Sequence, residues 1–225
     1  MGTLRKYELK TANCKVFFET GTGLGHSLLH ALDNGNFDLL YSSEIHADTA
    51  NKAKEIFKKN KNVEILNMTS LSALRDILIK ISPETPILFF LDAHFPGEVE
   101  DGFSYSSNVP SSTSMPLKDE LELIATFRSN SRDVIIVDDL KLYEDGPFDN
   151  GSIAKGFANI SESHRSLDFI KDLYPERKIH RNYQDDGYLI IQTKDLDFDL
   201  RKVSNMYRFK RSVKKNINRL NKLVS

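Results

Sequence analysis

Short apolar runs alternate with segments of helical periodicity along most of this chain. The runs ILFFL at 87–91 and VIIV at 134–137 are unbroken, which is typical of strands that are covered on both faces of a sheet. Strands that alternate with helices indicate βαβ units, so we expect an α/β fold with a doubly wound, mostly parallel sheet and helices on both faces. The predicted strands are 15–19, 37–44, 63–66, 87–91 and 134–137, and the predicted helices are 25–32, 47–60, 70–81 and 116–127.

The last third of the chain has a different pattern. Residues 178–182 and 188–193 read as two strands joined by a turn, so we expect a C-terminal antiparallel hairpin at one edge of the sheet. Residues 97–116 form a long stretch rich in serine and turn residues, as in a lid over a binding site. The chain is long enough for one large domain, which we assign to 1–200, with 201–225 as an appendage.

The appendage is strongly basic. Residues 201–225 contain nine Lys or Arg and no acidic residue, so the other 200 residues carry a formal charge of −10 against −1 for the whole chain. Apolar residues recur there at approximate helical spacing, which predicts a basic amphipathic helix. Three roles stay open: docking on the acidic body or in a homo-oligomer, peripheral contact with an anionic membrane, and nucleic-acid binding.

The single cysteine, Cys14, excludes an intramolecular disulfide and a zinc site built from several cysteines. The first residues lack the apolar core of a signal peptide, and no apolar stretch approaches the roughly 18 residues that span a bilayer. We therefore expect a soluble, cytoplasmic protein.

A glycine-rich turn follows the first predicted strand. In FFETGTGLGHS, Gly21, Gly23 and Gly25 stand in a G-x-G-x-G pattern behind Glu19, and such a turn lets backbone and helix N–H groups approach a ligand. The nicotinamide-dinucleotide fingerprint has the spacing G-x-G-x-x-G instead. Glu44 ends the second predicted strand, 19 residues after Gly25, where a carboxylate can accept both hydroxyls of a ribose.

These two motifs resemble those of class I S-adenosylmethionine (SAM)-dependent methyltransferases. FFETGTGLG is similar to the first motif of that family, and LLYSSE is similar to its second strand with the ribose-binding acid. The resemblance covers roughly 13–194 and implies a Rossmann-like fold and SAM as cofactor. Asn67 stands where the family frequently has Asp near the adenine. The implied cofactor-binding residues are Glu19, Thr20, Gly21, Gly23, Gly25, Glu44, Asn67, Met68 and Asp92.

Acidic residues also follow two further strands. Asp92 ends the fourth predicted strand, and the pair Asp138 and Asp139 ends the fifth. Carboxylates that converge repel one another unless a cation neutralises them, and oxygen ligands suit Mg²⁺ or Ca²⁺. The arrangement is similar to metal-dependent O-methyltransferases of the catechol and macrolide-sugar types. This resemblance implies a divalent metal, Mg²⁺ in our prediction, with Asp92, Asp138 and Asp139 as ligands.

His94 lies two residues after Asp92 in the stretch FLDAHFP. A histidine there can act as the general base that removes a proton from an acceptor hydroxyl, so we predict His94 and Asp92 as the catalytic residues. In the similar O-methyltransferases the base commonly stands three positions after the metal-binding acid. A supporting role beside the site, or a simple loop histidine, therefore stays open for His94.

The acceptor is constrained by a missing motif. The tetrapeptide N/D-P-P-Y/F of nucleobase amino-methyltransferases would fall at 92–95, where the chain reads DAHF. The predicted activity is therefore metal-assisted O-methylation of a sugar, polysaccharide or other small hydroxyl acceptor. Two alternatives remain: a metal-independent RNA methyltransferase that uses the basic tail, and a non-catalytic nucleotide-binding scaffold that partners another enzyme.

Overall fold

A computed structural model of the chain describes residues 4–94, 115–151 and 165–202. The proposed lid at 97–116 therefore lies outside the described residues except for Met115 and Pro116, and the basic tail lies outside them beyond Lys202. Among the described residues, no helix is both long and apolar enough to cross a membrane.

The described elements alternate as the apolar pattern predicts. The strands are β1 Val16–Thr20, β2 Leu39–Ser43, β3 Val63–Leu66, β4 Ile87–Leu91, β5 Val134–Val137, β6 Arg177–Asn182 and β7 Tyr188–Thr193. The α-helices are α1 His26–Asn34, α2 Ala47–Phe57, α3 Ser70–Lys80, α4 Leu117–Arg128 and α5 Phe169–Leu173. Short 3₁₀ turns occur at Leu4–Lys6, Lys10–Ala12 and Leu140–Leu142.

All seven strands form one sheet in the order β3-β2-β1-β4-β5-β7-β6. The first five strands pair in parallel, while β7 pairs antiparallel with both β5 and β6. The predicted doubly wound sheet and its C-terminal hairpin are therefore confirmed. The strand order reverses between β1 and β4, and such a switch point opens a crevice beyond the carboxyl ends of the strands.

Two apolar cores cover the sheet, one on each face. Alternate residues of each strand point to opposite faces, so that in β4 Phe89 packs into one core and Phe90 into the other. Helices α3 and α4 cover the first face, whereas α1, α2 and the N-terminal segment from Leu4 cover the second. With both faces buried, the polar ends of the central strands lie at one edge of a rigid scaffold.

Candidate active site

The glycine turn leaves β1 at the switch point and passes close to the end of β4. Gly21 has a φ of +82°, and a Cβ placed on it would lie 2.5 Å from the carbonyl oxygen of Asp92. The N–H groups of Gly21 and Thr22 both donate to the Ser43 carbonyl at 3.0 Å. Glycine at position 21 therefore meets two demands, the left-handed backbone and the close approach of a neighbouring strand.

Glu44 lies opposite this turn, directly after β2. Its Oε2 accepts a hydrogen bond from the N–H of Gly23 at 3.0 Å, and its Oε1 accepts one from the N–H of His46 at 2.9 Å. The residue is only 4% exposed. Since both oxygens are held by backbone donors, the carboxylate has a fixed orientation toward the glycine turn, and its remaining lone pairs can accept ligand hydroxyls.

Glu19 is the buried carboxyl behind the turn. Ser42 Oγ donates to its Oε2 at 2.6 Å, and the same hydroxyl lies 2.7 Å from Thr22 Oγ1. Burial raises the pKa of Glu19 to about 8; the Ser42 hydrogen bond opposes this rise and the charge of Glu44 adds to it. At neutral pH Glu19 therefore holds a proton and can donate a hydrogen bond.

The remaining cofactor candidates differ in their surroundings. Asn67 is exposed, and its Nδ2 donates to the carbonyls of Glu44 at 2.8 Å and Ile45 at 3.2 Å. Met68 is half-buried and packs against the core formed by α3 and α4. Thr20 is fully buried, and its Oγ1 accepts the N–H of Asp92 at 3.1 Å. Asn67 therefore joins the ends of β2 and β3, and Thr20 joins β1 to the residue after β4.

Asp92, His94 and Asp139 come together beyond β4 and β5. His94 Nε2 lies 2.9 Å from Asp139 Oδ2 and 3.8 Å from Asp92 Oδ1. Each residue offers one ligand atom, and these three atoms all lie within 4.8 Å of one another. Asp139 Oδ1 is buried and has no hydrogen-bond partner among the described residues. A set of two carboxylates and one imidazole with an unused oxygen fits a divalent cation.

Asp138 does not join this group. It is 2% exposed, and its Oδ1 accepts the N–H of Asp139 at 2.8 Å. Asp139 has a left-handed backbone with a φ of +48°. The side chains of Asp138 and Asp139 are therefore not related by the regular alternation of an extended strand. Burial, and then the charge of Asp139, raise the pKa of Asp138 well above its usual range. Of the three acids predicted as metal ligands, the structure thus groups Asp92 and Asp139, and it adds His94.

Two buried residues beside this group were not predicted from the sequence. The rings of His94 and Tyr143 meet edge to face, with centroids 6.2 Å apart. Burial raises the pKa of Tyr143, and the charges of nearby acids add to the rise in the order Glu120, Asp139, Asp92 and Asp138. Glu120 comes from the first turn of α4 and is 1% exposed.

A sequence signal for Glu120 does exist. It lies on the apolar stripe that Leu117, Leu121 and Ile124 form along α4, where a charged residue is out of place. Tyr143 has no comparable signal, because it follows the short 3₁₀ turn Leu140–Leu142, whose periodicity is too brief to read.

The strand order, the glycine turn after β1 and the acid after β2 form a Rossmann-like fold that solved methyltransferase structures share. No protein-family model matches the sequence, and no curated protein matches it either. Solved structures do match the fold. An SAH-bound methyltransferase from Podospora anserina superposes with a TM-score of 0.54 at 18% identity, over 80% of this chain and 72% of that chain.

An O-methyltransferase from Bacillus cereus, solved in complex with SAH, gives a TM-score of 0.54 at 16% identity. The match covers 82% of this chain and 76% of that chain. These likenesses confirm the predicted fold.

Proposed function

We propose that this protein is a SAM-dependent methyltransferase. The proposal is carried by Glu44, which follows β2 and whose two oxygens accept hydrogen bonds from the N–H groups of Gly23 and His46. An acid held in this way beside a glycine turn suits the ribose of a nucleoside cofactor. Two of the solved structures with this fold are described as bound to SAH, which agrees with the assignment.

We propose further that the methyl acceptor is a hydroxyl and that a divalent cation assists the transfer. Asp92, His94 and Asp139 would hold the cation with one atom each. When bound, a divalent cation lowers the pKa of a hydroxyl on it and so favours the nucleophilic alkoxide. An imidazole beside two carboxylates makes Mn²⁺ as suitable as the Mg²⁺ expected from oxygen ligands alone.

Residues of the chain itself orient the acceptor relative to the cofactor. Asp92 lies against the glycine turn through the close contact of its carbonyl with Gly21, so an acceptor at Asp92 lies next to a cofactor at the turn. Methyl transfer requires the attacking oxygen in line with the sulfonium methyl group, and positioning alone contributes much of the rate. A small polar acceptor such as a sugar hydroxyl is our choice of substrate class, because the three grouped side chains are polar.

One contact, between His94 and Asp139, favours a second mechanism that needs no metal. In a neutral imidazole whose Nε2–H donates to Asp139 Oδ2, the other ring nitrogen is free to accept a proton. His94 is then the general base and Asp139 orients it, as in other acid–histidine pairs. This mechanism suits the RNA acceptor of the alternative prediction as well as a sugar, although the basic tail that would bind RNA lies outside the described residues.

Calorimetry and a chelator separate these functions. We expect SAH to bind with no competition from NAD, and we expect the loss of the Glu44 charge in E44Q to weaken that binding. Transfer of labelled methyl groups to a panel of sugars and RNAs, with and without EDTA, then identifies the mechanism. Activity abolished by EDTA and restored by Mn²⁺ or Mg²⁺ supports the cation, whereas activity indifferent to EDTA supports His94 as the base. A protein that binds SAH but transfers no methyl group would be the non-catalytic scaffold.

A further inference from the structure

The chain bends sharply directly after β5, at one of the three grouped residues of the site. Asp139 has a φ of +48° and a ψ of +49°, a left-handed conformation that residues with a side chain adopt far less often than the right-handed one. The bend leads into the 3₁₀ turn Leu140–Leu142 and leaves Asp139 Oδ2 at 2.9 Å from His94 Nε2. The contacts that hold this bend therefore also position the Asp139 carboxylate against the imidazole.

The turn between β6 and β7 holds the bend through the backbone. The carbonyl of Gly187 accepts the N–H of Leu140 at 2.9 Å, and the carbonyl of Asp186 accepts the N–H of Lys141 at 3.1 Å. Gly187 has a φ of +83°, and a Cβ placed on it would lie 3.0 Å from the Cβ of Leu140. The two residues that follow Asp139 are thus attached to the hairpin, which is itself part of the sheet.

A buried ion pair joins the same two segments through side chains. Lys141 Nζ donates to Asp186 Oδ1, and Asn150 Nδ2 donates to the same oxygen at 3.2 Å. The side chain of Asp186 is 2% exposed, and that of Lys141 is 24% exposed. Burying an ion pair adds little net stability, because the loss of hydration offsets the attraction between the charges. A pair in this place suits a role in fixing one conformation of the chain.

We propose that Asp186 is a positioning residue of the active site. It holds Lys141 and so fixes the bend at which Asp139 meets His94. Asp186 acts through the Lys141 side chain and through the backbone of 140–141, and it is not one of the three grouped side chains. For its effect on turnover, this inference rests on the proposed function. Its effect on the contact between Asp139 and His94 does not depend on that function.

The test uses the full chain and two variants of the ion pair. D186N keeps the size of the side chain but removes its charge, and K141M keeps an unbranched apolar chain but removes the cation. The matched control is D185N, because Asp185 lies in the same turn and carries the same charge. Its carboxylate accepts hydrogen bonds from the N-terminal segment instead, from Lys6 Nζ at 2.7 Å and from the Tyr7 hydroxyl at 3.0 Å.

The readout is the imidazole of His94. Side-chain ¹⁵N spectra of histidine-labelled protein are recorded at one fixed pH with EDTA present, and the His94 signals are those that H94N lacks. We expect D186N and K141M to move these signals, while D185N leaves them in place. The double variant D186N/K141M should move them no further than either single variant does, since the two residues act as one unit.

Once an acceptor is known, we expect D186N to lower kcat about tenfold, as for other residues that orient an active-site group, with the Kd for SAH unchanged. Unshifted His94 signals in folded D186N or folded K141M overturn the proposal, and so does an equally large shift in D185N. If only one of the two ion-pair variants folds, that variant decides. If neither folds, the pair is a requirement of folding and the proposal fails. Failure of the wild type to bind SAH refutes the proposed function and leaves the result for His94 intact.

Discussion

The carboxylate of Glu44 and the backbone N–H of Gly23 are joined by a 3.0 Å hydrogen bond between the segments that follow β2 and β1. The bond ties the exposed middle of the glycine turn to the end of β2. It gives the acid its orientation before any ligand arrives, and such preorganisation reduces the ordering that binding must otherwise impose.

The first prediction concerns this acid. We expect E44Q to weaken SAH binding by about tenfold or more, since hydrogen bonds to a charged group contribute about 1.5–3 kcal/mol. Isothermal titration calorimetry measures the change. E64Q is the control, because Glu64 lies on neighbouring β3 and pairs with Lys80 at the surface, 3.2 Å away. Equal affinity in E44Q and E64Q would remove Glu44 from the cofactor site.

The second prediction compares two glycines of the same turn. G21A places a methyl group 2.5 Å from the Asp92 carbonyl oxygen, whereas a methyl group on Gly23 meets nothing within 4 Å. Both positions have positive φ, which costs an alanine about 1–2 kcal/mol, so only G21A adds a steric clash to that cost. We expect urea denaturation to show a clearly larger loss in the free energy of unfolding for G21A than for G23A. A G23A variant that is equally destabilised would contradict the packing of the turn against β4.

The sequence predicts the central strands well because they are buried on both faces. Predicted and observed bounds agree at 87–91 and 134–137, where short, unbroken apolar runs predict strands that are buried on both faces. Helix α5 was missed, since its five residues bury only Ile170 and show no readable period. The N-terminal 3₁₀ turns were missed for the same reason, although Leu4 and Tyr7 are fully buried.

The sequence predicts only those parts of the site that follow from where the strands end. That Asp92 and Asp139 lie together follows from β4 and β5 being parallel neighbours, which the alternating pattern implies. One member of the Asp138–Asp139 pair faces the crevice, and the left-handed backbone of Asp139, with a φ of +48°, determines which one. Asp and Asn adopt that conformation more readily than most residues, but neither acid of the pair is favoured over the other, so the sequence does not decide between them.

The third prediction is a pH dependence of stability that comes from Glu19. Burial raises its pKa to about 8, above the ordinary 4.5 of the unfolded chain. The folded state therefore favours the protonated acid, whose stabilising effect is complete below pH 4.5 and is lost as the pH rises through 8. We expect the loss to be on the order of 5 kcal/mol, from 1.36 kcal/mol per pKa unit.

Thermal denaturation without cofactor, from pH 5 to 9, tests this prediction in E19Q. The variant has no carboxyl group at this position, so its stability should fall less with pH than that of the wild type. The control is E55Q, which removes an exposed acid that pairs with Lys58 on α2. Parallel pH profiles for wild type and E19Q would show that Glu19 is ionised in the folded protein at neutral pH.

The fourth prediction concerns a buried ion pair at the end of α4. Arg128 is 2% exposed and forms two hydrogen bonds to Asp133, from Nε at 2.6 Å and from Nη2 at 2.9 Å. Its Nη groups also donate to backbone carbonyls in the turn before β4, such as that of Thr85 at 2.6 Å. R128M leaves Asp133 buried without its cation, which costs about 3–5 kcal/mol.

Denaturation in urea measures that loss, and R132M is the control. Arg132 pairs with Asp195 at 2.7 Å, but both side chains are more than half exposed, so its removal should cost less than about 1 kcal/mol. Similar losses for the two variants would mean that the Arg128 pair is not a buried anchor of the turn.

The last prediction separates the two neighbouring acids after β5. Asp139 contributes an oxygen to the group with Asp92 and His94, whereas Asp138 is buried and accepts the N–H of Asp139. If the proposed cation binds at that group, D139N should reduce Mn²⁺ affinity at least about tenfold, because it replaces a charged ligand. D138N keeps an oxygen that can accept the same N–H, and we expect it to change the affinity much less. Calorimetry with Mn²⁺ on both variants, after circular dichroism has shown that they are folded, gives the ratio. A larger loss in D138N than in D139N would restore the ligand set predicted from the sequence, with Asp138 turned toward the crevice when the cation binds.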